Sequence, residues 1–157
     1  MTEEIFEVYW EGPFDPTDVE KLDDTDDKNF VLYSVYGSHP LYGKNVLLYI
    51  GKTTRGVKKR LAEHDYWMDE GRFGDSQIYL ASLGKFISWD ASEEIERFTQ
   101  PDDDLIQRVE SLLIYAHQPV YNKKSRESAV RCDGLRLFNT GNFGHLQPEI
   151  SALYHIS

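Results

Sequence analysis

Runs of β-branched and aromatic residues, each bounded by turn-forming residues, predict the strands of this chain. They are VLYSVYG at 31–37, VLLYIG at 46–51 and QIYLASL at 77–83. The segment GSHPLYGKN between the first two contains Gly, Pro and Asn, which are typical of turns. Because so short a connection suits neighbouring strands of opposite direction, the sequence predicts an antiparallel hairpin.

Apolar residues at helical spacing predict a helix over about 55–70. Thr53 or Thr54 is suited to cap it, because a threonine oxygen accepts a hydrogen bond from a backbone N–H of the first turn. Arg60 and His64 are four residues apart, so they are expected on one face of this helix.

A longer helix is predicted to begin at Pro101. Three aspartates stand in its first turn, where the helix dipole favours negative charge, and an apolar stripe supplies its core face. It is expected to end near His117 because Pro119 follows. The residues just before it, 91–98, predict a short helix.

The order of these elements predicts an α+β fold, similar to an α/β sandwich. We expect a small, mainly antiparallel three-stranded sheet flanked by helices, formed by residues 30–125. Residues 1–29 are interpreted as an acidic lead-in, within which 5–10 form a short strand or a docked apolar arm. Residues 126–157 are interpreted as a C-terminal extension, a hairpin or tail packed on the domain.

Composition limits the class of protein. A chain of 157 residues fits one domain, and its one cysteine, Cys132, excludes an internal disulfide and a cysteine-based zinc site. No apolar run approaches the ~20 residues of a membrane-spanning helix, and the first ten residues lack the basic start of a secretory signal. The sequence therefore predicts a soluble cytoplasmic protein.

The charge is unevenly distributed. The formal net charge of −10 argues as a whole against a nucleic-acid partner, but residues 1–30 alone hold 11 acids and 2 bases. Residues 44–60 hold six bases and no acid, and a second basic cluster lies between Lys123 and Arg136. This segregation permits a local anion-binding face on an acidic protein.

The residues suited to chemistry are spread along the chain but fit one reaction. A phosphodiesterase needs a cation or metal to hold the phosphate, a group that takes a proton from water, and stabilisation of the charge that develops. The candidates are Tyr33, Tyr49, Lys52, Arg60, His64, Glu110 and Asn122. The sequence contains no phosphate-loop glycine signature, nucleophile elbow or paired-histidine zinc motif.

In this order the candidates resemble the GIY-YIG endonucleases over about residues 31–123. The second family motif is intact as Tyr49-Ile50-Gly51, and it continues through KTTRGVKKRLAEH. The helix segment IQRVESLLIYAHQPVYN resembles the family's segment between its glutamate and its asparagine. The first motif departs from the pattern and reads VLY at 31–33, with Tyr36 as the alternative tyrosine if the register slips. That alternative would lie on the opposite face of the sheet.

The resemblance implies a role for each site residue. Glu110 would be the one protein ligand of a Mg²⁺ or Mn²⁺ ion, and Arg60 would hold the scissile phosphate. Tyr33 would act as general base, helped by His64 or Lys52 because a free tyrosine has a pKa near ~10. Tyr49 would hydrogen-bond to the phosphate or water, and Asn122 would support the site.

Each of these residues also has a purely structural interpretation. Glu110 would then be an exposed helix glutamate and Arg60 a surface arginine. The two tyrosines would be core residues with their hydroxyls at the edge, and Asn122 would be a turn residue.

Two functions follow from these residues. The first is a metal-dependent DNA endonuclease whose backbone contacts come from Lys58, Lys59, Lys123, Lys124 and Arg126. Its specificity would depend on a protein partner or on a homo-oligomer. The alternative is a catalytically weak relative that binds nucleic acid or protein, in which the acidic lead-in could occupy the basic face as a DNA mimic.

Overall fold

The computed structural model describes residues 4–23, 29–53, 56, 76–86, 101–122 and 132–155. Along the chain these residues form β1 (Glu4–Phe14), α1 (Pro16–Glu20), β2 (Leu32–His39), β3 (Gly43–Lys52), β4 (Gln77–Lys85), α2 (Asp103–His117), β5 (Leu135–Gly141), β6 (Glu149–Ser151) and α3 (Ala152–His155).

All six strands belong to one mixed sheet, in the order β3-β2-β4-β1-β5-β6. The neighbours β3/β2, β2/β4, β4/β1 and β5/β6 are antiparallel, whereas β1 and β5 run parallel. The expectation of a small three-stranded sheet flanked by helices is therefore wrong. The three strands predicted as that sheet are β2, β3 and β4, and they form only one half of the larger one.

The observed sheet is larger than the predicted one because of β1, whose residues 5–10 are interpreted from the sequence as either a short strand or a docked apolar arm. In the sequence EIFEVYWEGPF, Val8 and Trp10 point to one side of the sheet and are buried, while Tyr9 and Glu11 are exposed on the other. This alternation is typical of a strand with one buried face. Once β1 pairs with β4, its second edge accepts β5, so the sheet runs through the lead-in, the central residues and the C-terminal extension.

The sheet has two faces with separate cores. On the first, which we call the helix face, α2 packs against residues that include Val8, Leu32, Ile50 and Leu137. On the second, which we call the tyrosine face, a smaller cluster contains Val19, Phe30, Tyr33, Val35, Leu48, Ile78 and Leu80. The larger core therefore lies on the helix face.

The long helix predicted from Pro101 to His117 is confirmed as α2. Asp102 caps it by accepting a hydrogen bond from the Leu105 N–H at 2.8 Å, and Gln118 ends it in the left-handed conformation at φ 52°. The Nε2 atom of His117 accepts from the Gln147 N–H at 2.8 Å, which fastens the end of the helix to the loop before β6. Within the described residues, no helix is long and apolar enough to cross a membrane.

Other local predictions have mixed outcomes. The hairpin of β2 and β3 is confirmed, and β5 pairs with β6 as a C-terminal hairpin. After Ser151 the chain turns into α3. The predicted helix over 91–98 lies outside the described residues, as does the one over 55–70 except for Gly56.

Replacing Asn139 by alanine should destabilise the protein by ~1–3 kcal/mol. The Asn139 Oδ1 atom accepts from the buried Trp10 Nε1–H at 2.9 Å, and its Nδ2 atom donates to the Gln147 carbonyl at 2.7 Å. Without Asn139 the indole N–H of Trp10 stays buried with no acceptor. Urea unfolding measures the loss. Asn142→Ala is the matched control, because Asn142 is exposed and its side chain donates to the Gly12 carbonyl. Equal losses in both variants would contradict the assignment.

Candidate active site

Tyr33 and Tyr49 lie side by side on the two strands of the β2–β3 hairpin. In the antiparallel register Tyr33 is paired with Gly51, and Tyr49 is paired with Val35. Paired residues point to the same side of a sheet, so the rings of Tyr33 and Tyr49 both project from the tyrosine face. The ring centroids are 5.9 Å apart and the ring planes differ by 30°. Residues from the degenerate first motif and the intact second motif therefore meet in one place.

Gly51 makes this approach possible. A Cβ atom added at Gly51 would overlap the Cζ and hydroxyl atoms of Tyr33. The third residue of the Tyr49-Ile50-Gly51 motif thus has a steric reason to be glycine: it leaves room for the ring from the neighbouring strand.

The tyrosine pair is covered in this conformation. Tyr33 is fully buried, including its hydroxyl, and Tyr49 is half-buried. Val19 of α1 and Phe30 belong to the same buried cluster as Tyr33, so these two residues of the chain between β1 and β2 help to bury it. A hydrogen bond from the Thr17 hydroxyl lowers the pKa of the carboxyl of Asp15, the N-cap of α1.

Tyr36, the alternative for the first motif, has a different environment. Its hydroxyl accepts a hydrogen bond from the His145 N–H at 3.0 Å, and its ring contacts Tyr79, which packs on the helix-face core. Burial raises the pKa of Tyr36 to about 12. Tyr36 is therefore on the opposite face from Tyr49, as the sequence predicts, and is poorly suited to accept a proton.

Asn122 holds the strand that carries the second motif. Its Oδ1 atom accepts from the Ile50 N–H and its Nδ2 atom donates to the Ile50 carbonyl, each at 2.9 Å. The two preceding residues add backbone bonds, from Val120 N–H to the Leu47 carbonyl and from Tyr121 N–H to the Leu48 carbonyl. The segment after α2 thus runs along the outer edge of β3, and Asn122 has a supporting role.

The structure places Lys52 and Glu110 towards the helix face. Lys52 ends β3 opposite Leu32, a residue of the helix-face core, and is half-buried. Glu110 is half-buried on α2 between Val109 and Ser111, both fully buried. Glu110 therefore lies on the opposite side of the sheet from the rings of Tyr33 and Tyr49, and the structure does not bring the predicted metal ligand and the predicted general base together.

The other predicted site residues lie outside the described residues. These are Lys58, Lys59, Arg60, His64, Lys123, Lys124 and Arg126. Within the described part of the chain, no group of three or more His, Cys, Asp or Glu residues is placed to hold a metal ion. A site with one carboxylate does not need such a group.

Sequence analysis missed one cluster of exposed aromatic residues. His39, Leu41 and Tyr42 at the tip of the β2–β3 hairpin lie beside Tyr121, and we call these four residues the hairpin-tip cluster. The signal was present in the turn HPLYG, where large apolar residues replace the polar residues usual in a turn.

No family model, curated protein or solved structure matches this chain. The resemblance to the GIY-YIG endonucleases therefore rests on the motif residues themselves.

Asn122→Ala should destabilise the protein by ~1–3 kcal/mol, because the buried Ile50 N–H and carbonyl both lose their partner. The diagnostic measurement is amide hydrogen exchange. The Ile50 amide should exchange faster in the variant, while the Tyr33 amide in the interior of the sheet serves as internal reference. Unchanged protection of Ile50 would contradict the proposed support.

Gly51→Ala should cost ~1–3 kcal/mol of stability, because the buried Tyr33 ring has to shift. The same change in a Tyr33→Leu background should cost less, since leucine lacks the atoms that the new Cβ would meet. A double-mutant cycle by urea unfolding measures the difference. Equal costs in both backgrounds would show that the two residues do not interact in this way.

Proposed function

We propose that this chain is a divalent-metal-dependent DNA endonuclease that hydrolyses a phosphodiester bond by attack of water. One observation carries the proposal: residues from three separated motif segments, Tyr33, the Tyr49–Gly51 motif and Asn122, meet around one stretch of β3. Chance agreement with a sequence pattern would not require such separated residues to share contacts.

Each residue has a defined task in this proposal. Glu110 holds the metal ion, which when bound polarises the phosphate and stabilises negative charge. The resemblance gives Tyr33 the proton of the attacking water and Tyr49 a hydrogen bond to that water or the phosphate. Both rings lie on the opposite face of the sheet from Glu110, so this conformation does not bring the general base and the metal ligand together. Arg60 would hold the phosphate, and His64 would favour ionisation of Tyr33. Lys52, the other candidate for that task, is oriented towards the opposite face of the sheet.

Access to Tyr33 sets a condition on this function. Val19 and Phe30 cover the tyrosine face, and the segment between them is rich in aspartate. The phosphate of a substrate reaches Tyr33 only when Val19 and Phe30 move away from it. The aspartates close to these two residues in the sequence oppose DNA by their negative charge. We propose cytoplasmic action on DNA, with a protein partner or a second copy of the chain supplying specificity.

The complete burial of Tyr33 favours a second candidate function. A relative that binds nucleic acid or protein without cleavage would need the tyrosine pair only for packing. Both candidates predict contact with a partner on the basic face, and they differ in whether a phosphodiester bond is broken.

Glu110→Gln decides between them. With Mg²⁺ or Mn²⁺ the wild type should nick supercoiled plasmid, EDTA should stop the reaction, and the variant should lose activity by ~100-fold or more. Glutamine keeps the size of the side chain but removes its charge. Gel separation of nicked and supercoiled plasmid gives the rate.

The control is Asp103→Asn, which removes one exposed carboxylate from the same helix and should leave the rate unchanged. Thermal unfolding of both variants checks that the fold is retained. Absence of cleavage by the folded wild type on plasmid, branched and single-stranded DNA would reject the endonuclease in favour of the binding module.

A further inference from the structure

The hairpin-tip cluster exposes an unusual amount of aromatic and apolar surface. Leu41 is 78% exposed, Tyr42 64% and Tyr121 42%. Scattered apolar residues on a surface need no explanation, but here three large ones and a histidine ring lie together at one point. Rings held in water in this way are suited to contact with another flat, partly apolar group.

The rings of the cluster are fixed before any partner arrives. The Nδ1 atom of His39 accepts from the backbone N–H groups of Leu41 at 3.0 Å and Tyr42 at 3.2 Å. The His39 ring stacks on Tyr42 with centroids 4.7 Å apart and an angle of 27°, and it lies 5.8 Å from the ring of Tyr121. A partner that stacks on this surface therefore loses little conformational entropy in ordering it.

The surroundings of the cluster are suited to an anion. The sequence has no acid from Asn29 to Ala62 and none from Ser111 to Arg126. These two acid-free stretches meet at the edge of β3, where the Tyr121 backbone N–H donates a hydrogen bond to the Leu48 carbonyl. Lys44, two residues after Tyr42, is exposed. Charge and ring surface together select a polyanion that carries flat bases.

We propose that the hairpin-tip cluster is a stacking platform for unpaired nucleobases of single-stranded DNA. Stacking needs bases that are free of the duplex, whereas a paired duplex offers mainly its phosphates at such a convex tip. The inference rests on the proposed function in taking DNA as the substrate, and it adds the substrate class: DNA with a single-stranded or unpaired segment next to the bond that is cut.

The position of the platform agrees with this use. Tyr42 immediately precedes β3, and Tyr49 lies seven residues further along the same strand, so they are separated by roughly 20 Å. Single-stranded DNA that stacks on the tip beside Lys44 and continues in the direction of β3 leads towards the tyrosine pair.

The test is binding of labelled oligothymidylate to the full chain in EDTA, measured by fluorescence anisotropy. Tyr42→Ala and Tyr121→Ala should each raise the Kd by about fivefold or more. Tyr42→Trp should retain affinity, and its added indole emission should be quenched by the bound oligonucleotide. Lys44→Ala should reduce the dependence of log Kd on log salt concentration by about 0.7.

Tyr9→Ala is the matched control, because Tyr9 on β1 is 39% exposed but lies away from the hairpin tip. It should leave the Kd unchanged, and all variants should keep the thermal stability of the wild type. Failure of the wild type to bind oligothymidylate, or equal affinity of Tyr42→Ala and Tyr9→Ala, would overturn the platform.

The EDTA assay is independent of cleavage. If the wild type nicks plasmid but Tyr42→Ala binds the oligonucleotide as tightly as the wild type does, the platform is rejected and the endonuclease proposal is supported. Loss of binding in Tyr42→Ala, with no cleavage by the wild type, would support the platform and reject the endonuclease.

Discussion

The position of β1 in the middle of the sheet is the constraint on which the rest of the structure depends. β1 pairs with β4 on one side and with β5 on the other, so it joins the hairpin that carries the tyrosines to the C-terminal strands. These partners are distant in sequence, and contacts of this kind slow folding because long loops must close first. β1 therefore stays unpaired until the strand Gln77–Lys85 or the strand Leu135–Gly141 has formed.

The two faces of the sheet bury unequal shares of the core. The helix face buries most of the apolar core beneath α2, and its contacts do not involve the tyrosine pair. The tyrosine face has a small cluster closed by Val19 and Phe30, which are brought there by the chain that links β1 to β2. A change in this cover alters access to Tyr33 while the larger core stays in place.

Local pattern was sufficient to predict β2, β3, β4 and α2, because each has strong periodicity or a clear cap. It was also sufficient to predict that Tyr36 faces away from Tyr49. It failed for the sheet as a whole, because the pairing of Trp10 with Ala81 and Gly141 depends on segments far apart in the chain. The same limit applies to the site: Gly51 and Asn122 were identified by their motif, but what they contact is visible only after folding.

The segment that follows α2 also affects how this protein meets other proteins. An exposed outer strand offers a row of free backbone donors and acceptors, which invites edge-to-edge aggregation with other sheets. Here Val120, Tyr121 and Asn122 occupy backbone groups of β3 at one edge of the sheet, and at the other edge β6 is only three residues long. The hydrogen bonds from this segment that hold the strand of the second motif thus also protect the sheet from uncontrolled self-association. Asn122 therefore contributes both to the candidate site and to colloidal stability.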